Sequence, residues 1–142
     1  MPAQFVLRRL VQFSETDLAG IVHFSNYYKY MEEAEHAFFR SLGLSIMRTE
    51  ADGTVTGWPR VRSSCSYESP AFYQDEIDIG VTVVRKGVKS LTMEFQFWRG
   101  ETRIALGELK TVCCACKHGG EFRSIPIPDD YADKLVEAPP AS

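Results

Sequence analysis

The stretch Asp17-Leu18-Ala19-Gly20-Ile21-Val22-His23-Phe24-Ser25-Asn26-Tyr27 brings together a carboxylate, an imidazole and the means of holding them still. Gly20 permits a backbone turn that other residues resist, and Ile21 and Val22 can anchor the loop in a core. From Tyr27 onward the apolar residues take up a helical spacing, so this loop delivers Asp17 to the start of a helix. The first-turn amides of a helix have no partners within it, which makes that end a ready anion site. A carboxylate is thus held beside oriented N–H groups. Read from these residues alone, Asp17 is either a reactive group or a helix cap, a role Asp often fills.

The elements that must position it follow from the pattern on either side. Gln4 to Phe13 is rich in Val, Leu and Phe and ends in the polar Ser14-Glu15-Thr16, which predicts a first strand running into a loop. Helical spacing then places Tyr27, Met31, Ala34, Phe38 and Leu42 on one face and Lys29, Glu32, Glu33, His36 and Arg40 on the other, with Gly43 as the stop. Glu35 falls beside Tyr28, Met31 and Phe38, away from the polar stripe, and is expected to be a semi-buried partner of an Arg or Lys on a sheet. After an irregular stretch from about Ser45 to Pro59 the period becomes two. Val61 to Tyr67 reads as a strand, as do Ile77-Ile79-Val81-Val83 and Leu91-Met93-Phe95-Phe97 with their alternating polar neighbours. A basic turn from Arg85 to Ser90 joins the last two, and Arg99-Gly100-Glu101 makes a hairpin into a strand from Thr102 to about Lys117. Pro128 to Tyr131 opens a short helix, and Ala138 to Ser142 looks like a disordered tail. The order predicts an α+β domain over 1–137, with a largely antiparallel sheet and one long helix packed on it.

Size and charge agree with this. A chain of 142 residues suits one compact domain with a sizeable core. A net charge of −3 argues against a nucleic-acid binder, which needs a cationic surface. No uninterrupted apolar run follows Arg8 and Arg9, so no signal peptide or membrane span is expected, and a cytoplasmic location follows. Three of the four cysteines, Cys113, Cys114 and Cys116, crowd into one strand-like stretch where mutual disulfides are awkward, so reduced thiols are expected there and at Cys65. Cys114, Cys116 and His118 share one side of that stretch as candidate metal ligands, but structural zinc prefers looped spacings. Small buried thiols are the expected reading, with no metal.

The loop residues resemble the hydroxybenzoyl-coenzyme A thioesterase family of hot-dog-fold enzymes. That family's motif is an Asp, two residues, a Gly, an apolar pair, and an Asn-Tyr at the helix start. The likeness covers nearly the whole chain and extends to Lys89-Ser90 at the start of a strand and to Ile127-Pro128-Asp129-Asp130-Tyr131.

The resemblance implies a hot-dog fold, a catalytic Asp17, an oxyanion-binding backbone N–H at Phe24 and a pocket shaped by Tyr27. The reaction implied is hydrolysis of a short-chain or aromatic acyl-coenzyme A to the free acid and the thiol, with no cofactor. The physical logic agrees, because an amide preorganised at a helix N-terminus stabilises charge developing on a thioester oxygen. Asp17 can attack the carbonyl or take a proton from an attacking water. An ionised aspartate is a weak base, which favours attack. His23 is a further substrate-binding candidate, although some relatives carry their histidine one position later, where this chain has Phe24. Arg85, Lys86 and Lys89 cluster in a turn of an otherwise acidic chain and are the candidates for the coenzyme phosphates. Trp58, Tyr67, Phe72 and Tyr73 can line an aromatic pocket or belong to the core. A dehydratase would need a Pro-Gly-rich segment after its His, absent here. A non-catalytic acyl-coenzyme A-binding module is the alternative, with Asp17 against it, since a pure binder gains little from that anion. An open sheet edge further predicts a homodimer, or a homotetramer, that shares the pocket between chains.

Overall fold

In the computed structural model, which describes residues 2–117 and 119–140, strand β1 (Phe5–Leu10) leads through a 3-10 turn at Phe13–Glu15 into helix α1 (Asn26–Ser41). The chain continues through β2 (Arg48–Thr49), β3 (Val55–Gly57), β4 (Arg60–Tyr67), β5 (Glu76–Lys86), β6 (Ser90–Arg99), β7 (Thr102–Val112), β8 (Cys114–Cys116), β9 (Phe122–Ser124) and a single turn of helix, α2 (Asp129–Ala132).

Five strands form one antiparallel sheet in the order β1-β5-β6-β7-β4. Their two-residue period puts Ile77, Ile79, Val81 and Val83 of β5 beside Leu91, Met93, Phe95 and Phe97 of β6 on the face that α1 covers, all fully buried. The helix answers with Tyr27, Tyr30, Met31, Ala34, Phe38 and Phe39. Each such large apolar side chain contributes roughly 1.5–3 kcal/mol by leaving water. Gly107 lets the helix ride close to β7, since a Cβ there would stand 2.4 Å from Met31 Sδ.

The buried stripe of α1 is wider than its apolar spacing indicates, because it takes in Glu35. Arg60 reaches that carboxylate from β4 with two bonds, of 2.6 and 3.1 Å, and also touches Glu32 at 3.2 Å. The pairing expected of Glu35 with a sheet cation thus ties the helix to an edge strand. Burial pushes the Glu35 carboxyl up, and Arg60 offsets that only in part.

Two features differ from expectation. The stretch read as irregular supplies β2 and β3, which join β8 and β9 in a second antiparallel sheet, β2-β3-β8-β9. The long last strand also breaks at Cys113, whose N–H donates to the Lys89 carbonyl at 2.8 Å, and the chain passes from one sheet to the other. Strands of two or three residues are too short to show a period. All four cysteines are free thiols. Cys114 and Cys116 lie in β8, whereas His118 lies outside the described residues. Near the end of the chain the Ala138 N–H donates to the Val83 carbonyl at 2.8 Å, one tether within the stretch expected as a tail. Among the described residues, no helix is long and apolar enough to cross a membrane.

Candidate active site

The loop between the 3-10 turn and α1 is fixed largely by its own backbone. The Asp17 N–H donates to the Ile21 carbonyl at 2.8 Å, and the Gly20 N–H donates to the Asp17 carbonyl at 2.9 Å, which closes a tight turn. Gly20 sits at φ +81°, the left-handed region that favours glycine. Val22 is buried and its N–H donates to the Ala71 carbonyl at 2.8 Å, so it pins the loop in the core, whereas Ile21 is half-buried and bridges to Phe72. Asp17 Oδ1 accepts from the Ala19 N–H at 2.8 Å, within this turn. Asp17 therefore caps its own loop and not the helix, which begins nine residues later.

At the helix start, the Asn26 N–H bonds the His23 carbonyl at 2.9 Å and the Tyr27 N–H bonds the Phe24 carbonyl at 3.2 Å. The Ser25 N–H reaches His23 Nδ1 at 3.3 Å. Among the described residues the Phe24 N–H has no acceptor. It is an unused backbone donor at the positive end of a 16-residue helix.

Asp17, Ile21, Val22, Phe24 and Tyr27 line one cleft of about 510 Å³. Its opposite wall is the end of β4 and the segment beyond it, Tyr67 to Pro70. The walls are mainly apolar with few polar groups, the character of a site for a small organic group. Tyr27 is 3% exposed and packs edge-on against Tyr30, Tyr67 and Phe97. Burial is the main reason its hydroxyl is pushed up to about 12, so it stays a neutral donor. The Tyr67 hydroxyl donates to the Phe24 carbonyl at 3.4 Å and holds the two walls together.

The remaining candidates divide between the cleft and places apart from it. His23 is exposed beside it, stacked on Phe24 with centroids 4.6 Å apart and bonded through Nδ1 to Ser25 Oγ at 2.8 Å. Arg85, Lys86 and Lys89 lie at the far end of β5, about 30 Å of strand from the Asp17 end at 3.3 Å per residue. There, Lys86 Nζ donates to the Ala132 carbonyl at 2.8 Å and Lys89 Nζ reaches Ser124 Oγ at 3.5 Å. Of the four aromatic candidates, Tyr67 lines the cleft, Trp58 is core, and Phe72 and Tyr73 are exposed. The wall residues Glu68, Ser69 and Pro70 carry no sequence signal, because they reach the loop only through the turn after β4.

A carboxylate and an unused amide on residues that line one apolar cleft suit acyl transfer, and comparison with known proteins points the same way. A thioesterase-like superfamily model matches residues 11–135. The chain belongs to that superfamily. A protein from Aquifex aeolicus described as a putative esterase is 32% identical over 133 residues, covering 94% of this chain and 98% of the relative. The 4-hydroxybenzoyl-CoA thioesterase of Pseudomonas sp. strain CBS-3 is 25% identical over 138 residues, covering 94% and 98%. A solved gentisyl-coenzyme A thioesterase superposes with a TM-score of 0.80 at 30% identity, covering 93% of this chain and all of its own. The fold is the hot-dog fold of these thioesterases, one helix held by an antiparallel sheet, as the motif implied.

Proposed function

We propose that the chain hydrolyses short-chain or aromatic acyl-coenzyme A thioesters, with Asp17 as the reacting carboxylate and the Phe24 N–H as oxyanion donor. The observation that carries this reading is that Asp17 and Phe24, whose amide is unused, line the same apolar cleft. One Asp17 oxygen is occupied by the Ala19 N–H, which leaves the other free to meet a bound carbonyl. Attack by that oxygen forms a C–O bond and moves the carbonyl electrons onto oxygen, where the Phe24 N–H stabilises them. Collapse expels the coenzyme thiolate and leaves a mixed anhydride. Water then cleaves the anhydride, restoring Asp17 and releasing the acid. In the general-base variant Asp17 takes a proton from water, which attacks the carbonyl directly. The names of the relatives, 4-hydroxybenzoyl- and gentisyl-coenzyme A thioesterases, support an aromatic acyl group, as does the aromatic wall of Tyr27 and Tyr67.

The proposal includes a homodimer joined along β4. That strand is an edge of the large sheet and leaves Val61 57% and Tyr67 47% exposed. Tyr67 lies at the Asp17 end and Arg60 at the basic-turn end, since β4 to β5 are neighbours through three antiparallel pairings. A two-fold pairing of β4 with its copy sets the partner's basic-turn end beside the Asp17 cleft. Arg85, Lys86 and Lys89 of the partner then stand about three or four strand spacings away, roughly 15–20 Å, where they can receive the coenzyme phosphates while the thioester sits at Asp17. His23, exposed next to Phe24, is assigned in this reading to the pantetheine arm.

The test is steady-state thiol release from a panel of acyl- and aroyl-coenzyme A compounds, beside Asp17→Asn. Turnover by the wild type, with a loss of at least about a hundredfold in the folded variant, is expected. Binding without turnover across the panel would favour a non-catalytic module, and a fully active monomer on sizing would refute the shared site.

A further inference from the structure

A half-buried charge cluster lies just ahead of Asp17, outside the cleft and unused by the chemistry above. Glu15 is at its centre, its side chain 15% exposed. Its carboxylate accepts from both terminal nitrogens of Arg9 at 2.9 and 2.5 Å, from the Tyr30 hydroxyl at 2.9 Å and from the Gln12 N–H at 2.8 Å. Arg9 also binds Glu33 at 2.8 Å and lies over the Tyr30 ring, 4.9 Å from its centroid. The Glu15 side chain is thus bolted to β1 and to the second turn of α1.

Its main chain does something different. The Glu15 carbonyl accepts from the His23 N–H at 2.9 Å and from Asn26 Nδ2 at 2.8 Å. These two donors flank Phe24, one residue before it and two after. Asp17 follows Glu15 by two residues in the other direction.

We infer that Glu15 is the positioning residue of this site, fixing the separation between the Asp17 carboxylate and the Phe24 N–H by clamping both to β1 and α1. Its catalytic consequence rests on the thioesterase reading, whereas the clamp itself does not. Catalysis between a carboxylate and an amide depends on their relative placement, and a misplacement of about 1 Å can cost a hundredfold. A charge-assisted anchor is suited to hold it, since such bonds are shorter and stronger than neutral ones. Burial acts to raise the Glu15 pKa, but the bonds from Arg9, the Gln12 N–H and Tyr30 together outweigh it and hold the carboxyl below its ordinary range. The anchor therefore stays charged at neutral pH. The arrangement also explains the Asn of the Asn-Tyr pair at the helix start, 8% exposed and turned back onto the loop.

The test compares Glu15→Ala and Glu15→Gln with the wild type by steady-state kinetics, melting and amide hydrogen exchange of residues 16–26. Glu15→Ala is expected to lose about 30- to 100-fold in kcat with little change in KM, while the loop amides exchange at least about tenfold faster and those of β5 to β7 keep their rates. Glu15→Gln keeps the acceptor for Tyr30 and Gln12 but loses the charge, so it should fall between, and it carries the test if Glu15→Ala does not fold. A lowered melting temperature with kcat and loop exchange unchanged would mean a structural role only and overturn the inference. If the wild type turns over no thioester, the functional reading fails on its own. Loop exchange then still decides whether Glu15 is the clamp.

Discussion

Proline in place of Phe24 is the sharpest probe of the proposed oxyanion donor, because it deletes one backbone hydrogen and no hydrogen bond present within the described protein. Removal of a single preorganised donor to a developing oxyanion costs about 2.7–4 kcal/mol of barrier. At 1.36 kcal/mol per decade this is a fall in kcat of roughly 100- to 1,000-fold. Phe24→Ala separates the amide from the side chain. The ring is 61% exposed, so its loss should leave kcat within about threefold while the N–H stays in place.

Thiol release under saturating substrate reads the effect, and the melting temperature reports whether the turn before α1 accepts the ring. Where proline unfolds the turn, replacement of Phe24 by its α-hydroxy acid removes the same hydrogen without a ring and keeps the experiment decisive. Turnover near wild type in a folded chain lacking the Phe24 N–H would rule this amide out as the oxyanion donor, since nothing else then links the helix start to the thioester oxygen.

Arg60→Met strands Glu35 in the core, and breaking such a buried pair should cost about 3–5 kcal/mol in urea unfolding, a loss that further replacement of Glu35 by Leu should largely restore. Because the folded-state carboxyl of Glu35 is raised, its contribution to stability is present below the unfolded pKa and lost as pH rises through the folded one. Glu35→Gln should therefore remove part of the decline in stability from acid toward neutral pH. Reversing Arg85 and Lys89 to Glu should raise KM for acyl-coenzyme A roughly tenfold at low salt yet leave the KM of a phosphate-free pantetheine thioester unchanged. Equal effects on both substrates would remove the basic turn from the binding site.

What could be read from the chain depends on the range over which each signal acts. The alternation in β5 and β6 and the apolar face of α1 are local and long enough to repeat, so those elements and the fold class were legible. Glu35 was legible as buried from its helical position, and its need for a cation followed from burial, although Arg60 could not be named because β4 pairs with nothing near it in sequence. The small sheet was invisible, since β2 and β3 hold only two and three residues and β3 finds its other partner, β8, some sixty residues on. The site divides in the same way. Asp17, Phe24 and Tyr27 stand within one loop and turn, so their motif carries their proximity, whereas Tyr67 and Pro70 reach the cleft through the register of β4 on β7. The Glu15 cluster was missed because no residue type in it is unusual, and its meaning lies in where one main-chain carbonyl points.

The distance between Asp17 and the basic turn is where sequence and single-chain geometry disagree, and the proposed pairing along β4 would resolve it. Within one chain the two stand at opposite ends of β5, too far apart to act on one carbonyl and its phosphates along the same face. The β4 edge borders the cleft through Tyr67, and antiparallel pairing of two copies there would exchange the two ends. A monomer would leave Val61 and Tyr67 of that edge, and Leu18 and Phe24 of the loop, exposed to water. In the proposed dimer, the operation that covers the β4 edge would also bring a cationic turn toward each carboxylate. Two half-sites completed by one symmetry axis would account for both the exposed apolar edge and the distant cations.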